Sequence, residues 1–198
     1  MAEIVQIKQL HVAESLFVIR RIIGRHFFKS ENILKLFDFV VASVHSNLTM
    51  NEEKANARLL KAIENPYTTI LGHPTGRLLL MRSGYQINHE MIIDACAANK
   101  VVIELNAHPY RLDIDWRWIH YAQNKGVLIS INPDAHEKMG YHDMYFGTLA
   151  ARKGGLLTKN TLNALNTLIA HQRARVAQLT MLVPTGALHA CRNAPIAF

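Results

Sequence analysis

Short apolar runs alternate with amphipathic stretches through the middle of the chain. The four apolar runs read as strands buried on both faces: FDFVVASVH (37–45), TTILGHP (68–74), VVIELNAHP (101–109) and VLISINPDAH (127–136). Each run is followed by a helical pattern: NEEKANARLLKAIEN (51–65), HEMIIDACAAN (89–99), DWRWIHYAQNKG (115–126) and HDMYFGTLAARKGG (142–155). Because strand and helix alternate, the strands are expected to be parallel and joined by right-handed crossovers. The pattern predicts an α/β fold.

Local signals mark the ends of several helices. Asn51 is a suitable cap for the first helix, and Glu52 and Glu53 lie in its first turn, where the helix dipole favours acids. Pro66 ends that helix. A last helix is predicted to start near Thr158. The first 35 residues have apolar positions at mixed spacing, which suits an amphipathic helix about as well as a strand, and we leave them unassigned with a preference for helix.

Length and composition favour one soluble domain. At 198 residues and 49% hydrophobic content, the chain can bury a single sizeable core. The two cysteines, Cys96 and Cys191, are far apart, which argues against a disulfide scaffold and favours the reducing cytoplasm. No run approaches the roughly 18 uncharged apolar residues of a membrane span. We expect a cytoplasmic protein with no membrane contact.

The formal charge of +7 is concentrated in the two ends of the chain. Residues 1–35 carry +3, residues 36–150 carry −2, and residues 151–198 carry +6 with no acidic residue. A basic tail suits nucleic acid, since phosphate contacts dominate non-specific affinity. These lysines and arginines are scattered and have no interleaved aromatic residues, however, which favours an ordinary solvated surface.

All four predicted strands end in residues that can bind metals. His45, His73 and His108 close the first three, and Asp134 and His136 follow the fourth. In a parallel α/β fold the carboxyl ends of the strands lie at one edge and form the ligand site. One such histidine is more often structural, but four strands ending alike favour a metal site. Nitrogen and oxygen donors without thiolate suit zinc or manganese in a hydrolytic role.

The runs FDFVVASVHSNLTM, LGHPTGRLLLMRSGY, VVIELNAHPYRLDIDWRWIHYA and SINPDAHE resemble the PHP domain, a phosphoesterase domain of the polymerase and histidinol phosphatase type. They are most similar to the PHP domain at the C-terminus of bacterial family X DNA polymerases. The resemblance covers about residues 37–165. It implies a distorted β/α barrel with divalent metals at the strand ends. The implied activity is phosphoester hydrolysis, which in those polymerases is a 3′–5′ exonuclease and end-processing activity.

Residue by residue, the resemblance implies that His45, His73, Asp134 and His136 are metal ligands. Their spacings of 28, 61 and 2 residues match the second half of the family's ligand series. Arg77 would contact a substrate phosphate, because a guanidinium matches phosphate oxygens, or would form a surface salt bridge. The remaining motif residues have smaller expected roles: packing for Glu104 and Arg111, and an extra ligand or local substitution for His108.

The sequence also departs from the family. No His-x-His pair precedes residue 37, and residues 18–25, VIRRIIGR, lack the bridging glutamate. We therefore expect a partial, distorted β/α barrel of about four βα units whose first strands are missing or altered. The expected units are a divergent segment (1–36), the PHP-like domain (37–165) and a divergent basic tail (166–198). Both ends read as if the reading frame or gene boundary had been altered. Oligomerisation, or docking of the N-terminal segment, would cover the open edge.

Two functions remain open from the sequence. The first is a phosphoesterase dependent on Mn²⁺ or Zn²⁺ that acts on a phosphoester such as a DNA 3′ end. The second is a catalytically inactive PHP remnant with a structural or DNA-associated role, because about half of the expected ligands are absent.

Overall fold

The computed structural model describes residues 8–9, 17–22, 34 and 39–164, with a six-stranded sheet in the order of the chain. The strands are β1 (Lys8–Gln9), β2 (Phe17–Ile22), β3 (Phe39–Ser43), β4 (Ile70–Gly72), β5 (Val102–Asn106) and β6 (Ile129–Asn132). β1 is antiparallel to β2, and every later pairing is parallel. The sheet and its crossover helices confirm the predicted partial β/α barrel.

The helices lie close to their predicted positions. They are α1 (Glu52–Ile63), α2 (His89–Asn99), α3 (Ile119–Asn124) and α4 (Met144–Lys153). The Asn51 side chain accepts a hydrogen bond from the Lys54 amide at 3.1 Å, which confirms the predicted cap. Before α3, the predicted helix 115–126 begins instead as a 3-10 turn over Trp116–Trp118. In the described part of the chain, no helix is long and apolar enough to cross a membrane.

The helical expectation for the first 35 residues is wrong at Phe17–Ile22, which form a strand. This strand pairs in parallel with β3, with Val18 opposite Phe39 and Ile22 opposite Ser43. Its sequence, FVIRRI, is rich in aromatic and β-branched residues, and the edge of β3 supplies the hydrogen-bonding groups that a strand needs. Pairing with the sheet therefore decided in favour of a strand, whereas the local pattern suited a helix about as well.

The helix predicted from near Thr158 is also wrong within the described residues. The chain forms two 3-10 turns instead, Thr158–Asn160 and Leu162–Ala164, and the remainder of the predicted helix lies outside the described residues. The Asn163 side chain donates to the backbone oxygen of Ile131 and accepts from its amide. Thr and Asn side chains that bond to backbone groups compete with helix formation. Here the Asn163 side chain attaches the segment to the edge of β6.

Gly147 lies where α4 packs closely against Ala107, which follows β5, and against Ile131 of β6. A Cβ atom at this position would lie 2.4 Å from Ala107 Cβ and 2.7 Å from Ile131 Cγ2. Helix propensity alone predicts that Gly147→Ala stabilises the protein by about 1 kcal/mol. We expect the opposite, a loss of about 1 to 2 kcal/mol, because the helix must move away from the sheet.

Urea unfolding of the Gly147→Ala variant measures the net change in the free energy of unfolding. The matched control is Thr148→Ala, since Thr148 is exposed on the same helix. We expect the control to change the free energy of unfolding by less than about 0.5 kcal/mol. A stabilised Gly147→Ala variant would contradict the close packing.

Candidate functional site

The carboxyl ends of β3 and β4 bring two of the predicted ligands together. The imidazole rings of His45 and His73 have centroids 4.9 Å apart and an interplanar angle of 80°. His73 is 1% exposed, whereas His45 is exposed. The two histidines therefore form a pair with one ring inside the protein and one at its surface.

Asp134 and His136 form the second pair, directly after β6. Asp134 Oδ1 lies 3.8 Å from His136 Nδ1, and the Asp134 side chain is 2% exposed. His136 Nδ1 lies closer, at 2.7 Å, to the backbone oxygen of Asp134. An acceptor oxygen requires a proton on Nδ1, so when the His136 ring is neutral its lone pair is on Nε2. Nε2 is therefore the atom of His136 that suits a metal.

Glu104 connects the two pairs. Its Oε2 atom accepts hydrogen bonds from the His73 amide at 2.8 Å and from Asn106 Nδ2 at 3.2 Å. Oε1 accepts from Asn132 Nδ2 at 3.0 Å. The Asn106 amide also donates to Asp134 Oδ2 at 3.1 Å. The packing role expected for Glu104 understates its position, because this buried carboxylate joins the ends of three strands.

A signal for Glu104 was present in the sequence. It is the acid within the apolar run VVIELN, and it is 3% exposed. A carboxylate in a buried strand requires hydrogen-bond partners, which would have pointed to a polar network at this position.

Arg111 lies against the second ligand pair. Its Nε atom is 3.3 Å from Asp134 Oδ2, and the Arg111 side chain is 18% exposed. Asp134 therefore already has a cationic neighbour in the protein itself. Sequence reasoning assigned Arg111 to packing and did not foresee this contact.

Arg77 is bonded to protein groups through all three guanidinium nitrogens. Nε donates to the Arg111 backbone oxygen at 2.8 Å, one terminal nitrogen donates to Asp115 Oδ2 at 2.7 Å, and the other donates to the Leu112 backbone oxygen. Burial alone would raise the pKa of Asp115, but hydrogen bonds from Arg117 and Arg77 outweigh it and lower that pKa. The geometry shows the salt bridge, while phosphate contact stays a prediction.

Asp113 was missed by sequence reasoning. It is fully buried, and its Oδ2 atom accepts three hydrogen bonds, each at 3.0 Å, from the Thr75 amide, the Thr75 hydroxyl and the Gly76 amide. Burial raises the pKa of this carboxyl to about 6, an effect that neighbouring Arg77 opposes. Its partners lie 37 and 38 residues away in the sequence, so no local pattern indicated it.

The donor types at the strand ends suit a divalent metal. Imidazole nitrogens and carboxylate oxygens are ligands that zinc and manganese accept. Within the described residues, however, no three His, Cys, Asp or Glu side chains meet at a point where they would hold an ion. His108 Nδ1 accepts from the Tyr110 amide at 3.3 Å, and its role as an extra ligand stays a prediction. The described residues thus supply two ligand pairs.

The parallel sheet and its crossover helices are consistent with a partial β/α barrel of PHP type, and sequence similarity shows the family. No family model matches the chain. It is 40% identical over 134 residues to "DNA polymerase/3′-5′ exonuclease PolX" of Bacillus subtilis (strain 168). The chain contains a PHP domain, as its motifs predicted.

Two further relatives carry the name "Probable phosphatase". The chain is 30% identical over 118 residues to the one from Caldicellulosiruptor bescii and 34% identical over 115 residues to TTE1963 from Caldanaerobacter subterraneus subsp. tengcongensis. The PolX match covers 68% of this chain, and each phosphatase match covers 54%. The chain spans 24% of PolX, 45% of the first phosphatase and 43% of the second.

Proposed function

We propose that the chain is a metal-dependent phosphoesterase domain in which His45, His73, Asp134 and His136 hold Mn²⁺ or Zn²⁺. The observation that carries this proposal is the hydrogen-bond network from the His73 amide through Glu104 and Asn106 to Asp134. This network ties both ligand pairs to one edge of the sheet. A divalent ion bound there would supply a water of lowered pKa and would polarise the phosphoester.

The proposed substrate is a phosphoester, and a DNA 3′ end is the polymeric candidate. The names of the relatives support both a DNA end and a small phosphoester as substrate, because one relative is named a 3′-5′ exonuclease and the others are named probable phosphatases. Arg77 would contact phosphate only by exchanging bonds to Asp115 and two backbone oxygens. The proposed functional unit is residues 37–165, between the divergent segments 1–36 and 166–198. Because β2 already pairs with the edge of β3, oligomerisation is proposed only for an outer edge of the sheet.

A catalytically inactive PHP domain with a structural or DNA-associated role is the second candidate. Two observations favour it. The described residues bring metal donors together only in pairs, and the Arg111 guanidinium already lies against Asp134. A carboxylate balanced by an internal cation does not require a metal for charge compensation.

Metal stoichiometry on folded, desalted protein tests the proposal. After incubation with manganese or, separately, zinc, we expect at least one retained ion in the wild type and none in Asp134→Ala/His136→Ala. Circular dichroism establishes that both proteins are folded. Retention in the wild type, followed by metal-dependent hydrolysis of a nitrophenyl phosphoester and of a DNA 3′ end, supports the enzyme. Equal metal content in the two proteins would favour the inactive domain.

A further inference from the structure

The turn that carries His73 is attached to a second segment, residues 111–115. The turn comprises residues 73–77 and is closed by a hydrogen bond of 3.0 Å from the Gly76 amide to the His73 oxygen. Asp113 accepts three hydrogen bonds from Thr75 and Gly76 at the middle of this turn. Together with the bonds of Arg77, these contacts fix the turn against residues 111–115.

The same segment reaches Asp134 on its other side. Arg111 Nε lies 3.3 Å from Asp134 Oδ2, and another Arg111 nitrogen donates to the Arg77 backbone oxygen at 3.4 Å. The segment is also bonded to β5 through the backbone. The Asn106 backbone amide donates to the Asp113 backbone oxygen at 2.6 Å, and the Ile114 backbone amide donates to the Glu104 backbone oxygen at 3.1 Å. Residues 111–115 therefore touch β5, the turn that carries His73, and the Asp134 carboxylate.

We propose that Asp113 is a positioning residue that sets His73 relative to Asp134, through the turn 73–77 on one side and Arg111 on the other. The inference rests on the proposed function, since it treats His73 and Asp134 as metal ligands. Asp113 is suited to this role because it is fully buried and three donors from one turn converge on a single oxygen.

Hydrogen exchange without metal tests the positioning directly. In Asp113→Ala, we expect exchange to rise about tenfold or more in peptides covering residues 73–77 and residues 130–136, with little change in α2. Thr75→Val, which removes one of the three donors, should give a smaller change in the same peptides. Asp113→Asn keeps an acceptor oxygen and should restore most of the protection. Asp94→Asn, at an exposed ion pair with Lys125, is the matched control.

Two exchange results would overturn the inference. Faster exchange throughout the domain would mean that Asp113 acts only on global stability. Faster exchange in residues 73–77 with residues 130–136 unchanged would mean that the two ligand pairs are not linked through this segment. Zinc titration supplies a second readout, in which Asp113→Ala should weaken affinity about tenfold relative to the wild type. An unchanged affinity would also overturn the inference, whereas a wild type that binds no zinc would contradict only the proposed metal site.

Discussion

Replacing Glu104 by alanine is expected to lower the free energy of unfolding by about 3 to 5 kcal/mol. The reason is that three donors lose an acceptor at once, namely the buried His73 amide, the buried side-chain amide of Asn106 and the part-buried side-chain amide of Asn132. The cavity left by the side chain adds to this loss. Urea unfolding followed by circular dichroism measures the effect.

The same substitution should also affect metal binding, because Glu104 fixes the backbone of His73 and shares Asn106 with Asp134. We expect zinc affinity to fall at least about tenfold in the fraction that remains folded. Glu137→Ala is the matched control, since Glu137 is exposed beside His136, and it should cost less than about 0.5 kcal/mol. A Glu104→Ala variant with wild-type stability would show that the strand ends do not depend on this network.

Stability should fall as the pH rises through the titration of Asp113. Its pKa is raised to about 6 in the folded protein, chiefly by burial, from an ordinary value of 3.8. Between these values the folded state holds a proton that the unfolded state has released, so raising the pH favours unfolding. The contribution of this group amounts to about 3 kcal/mol, lost between about pH 4 and pH 7.

The comparison with Asp113→Asn isolates this contribution. Arg77 lowers and Glu104 raises the pKa of Asp113, and both remain in the variant. We expect the free energy of unfolding, measured in chelator at several pH values, to fall less steeply for the variant between pH 4 and 7. Asp115 has a lowered pKa, so its stabilising effect is present above its ordinary pKa and is lost only at lower pH. If the free energy of unfolding changed with pH in the same way for both proteins, the raised pKa of Asp113 would be contradicted.

The regular part of the fold was predictable because its signals are local. Periods of two and 3.6 residues separate strands from helices within single segments. The bounds of α2 agree with the predicted run HEMIIDACAAN, and the Asn88 side chain caps it by accepting from the Met91 amide at 3.0 Å. The convergence of His45 and His73 followed from the parallel order of the strands, which places their carboxyl ends at one edge.

The sequence by itself determined the α/β class, the order of the elements and the family, because these depend on local periodicity and on motifs that can be read along the chain. The tertiary structure decided that Phe17–Ile22 is a strand, which required the open edge of β3 as its partner. It also decided the positions of Glu104 and Asp113 within the site. Their hydrogen bonds to His73 and Thr75 span 31 and 38 residues, and only folding brings such partners together.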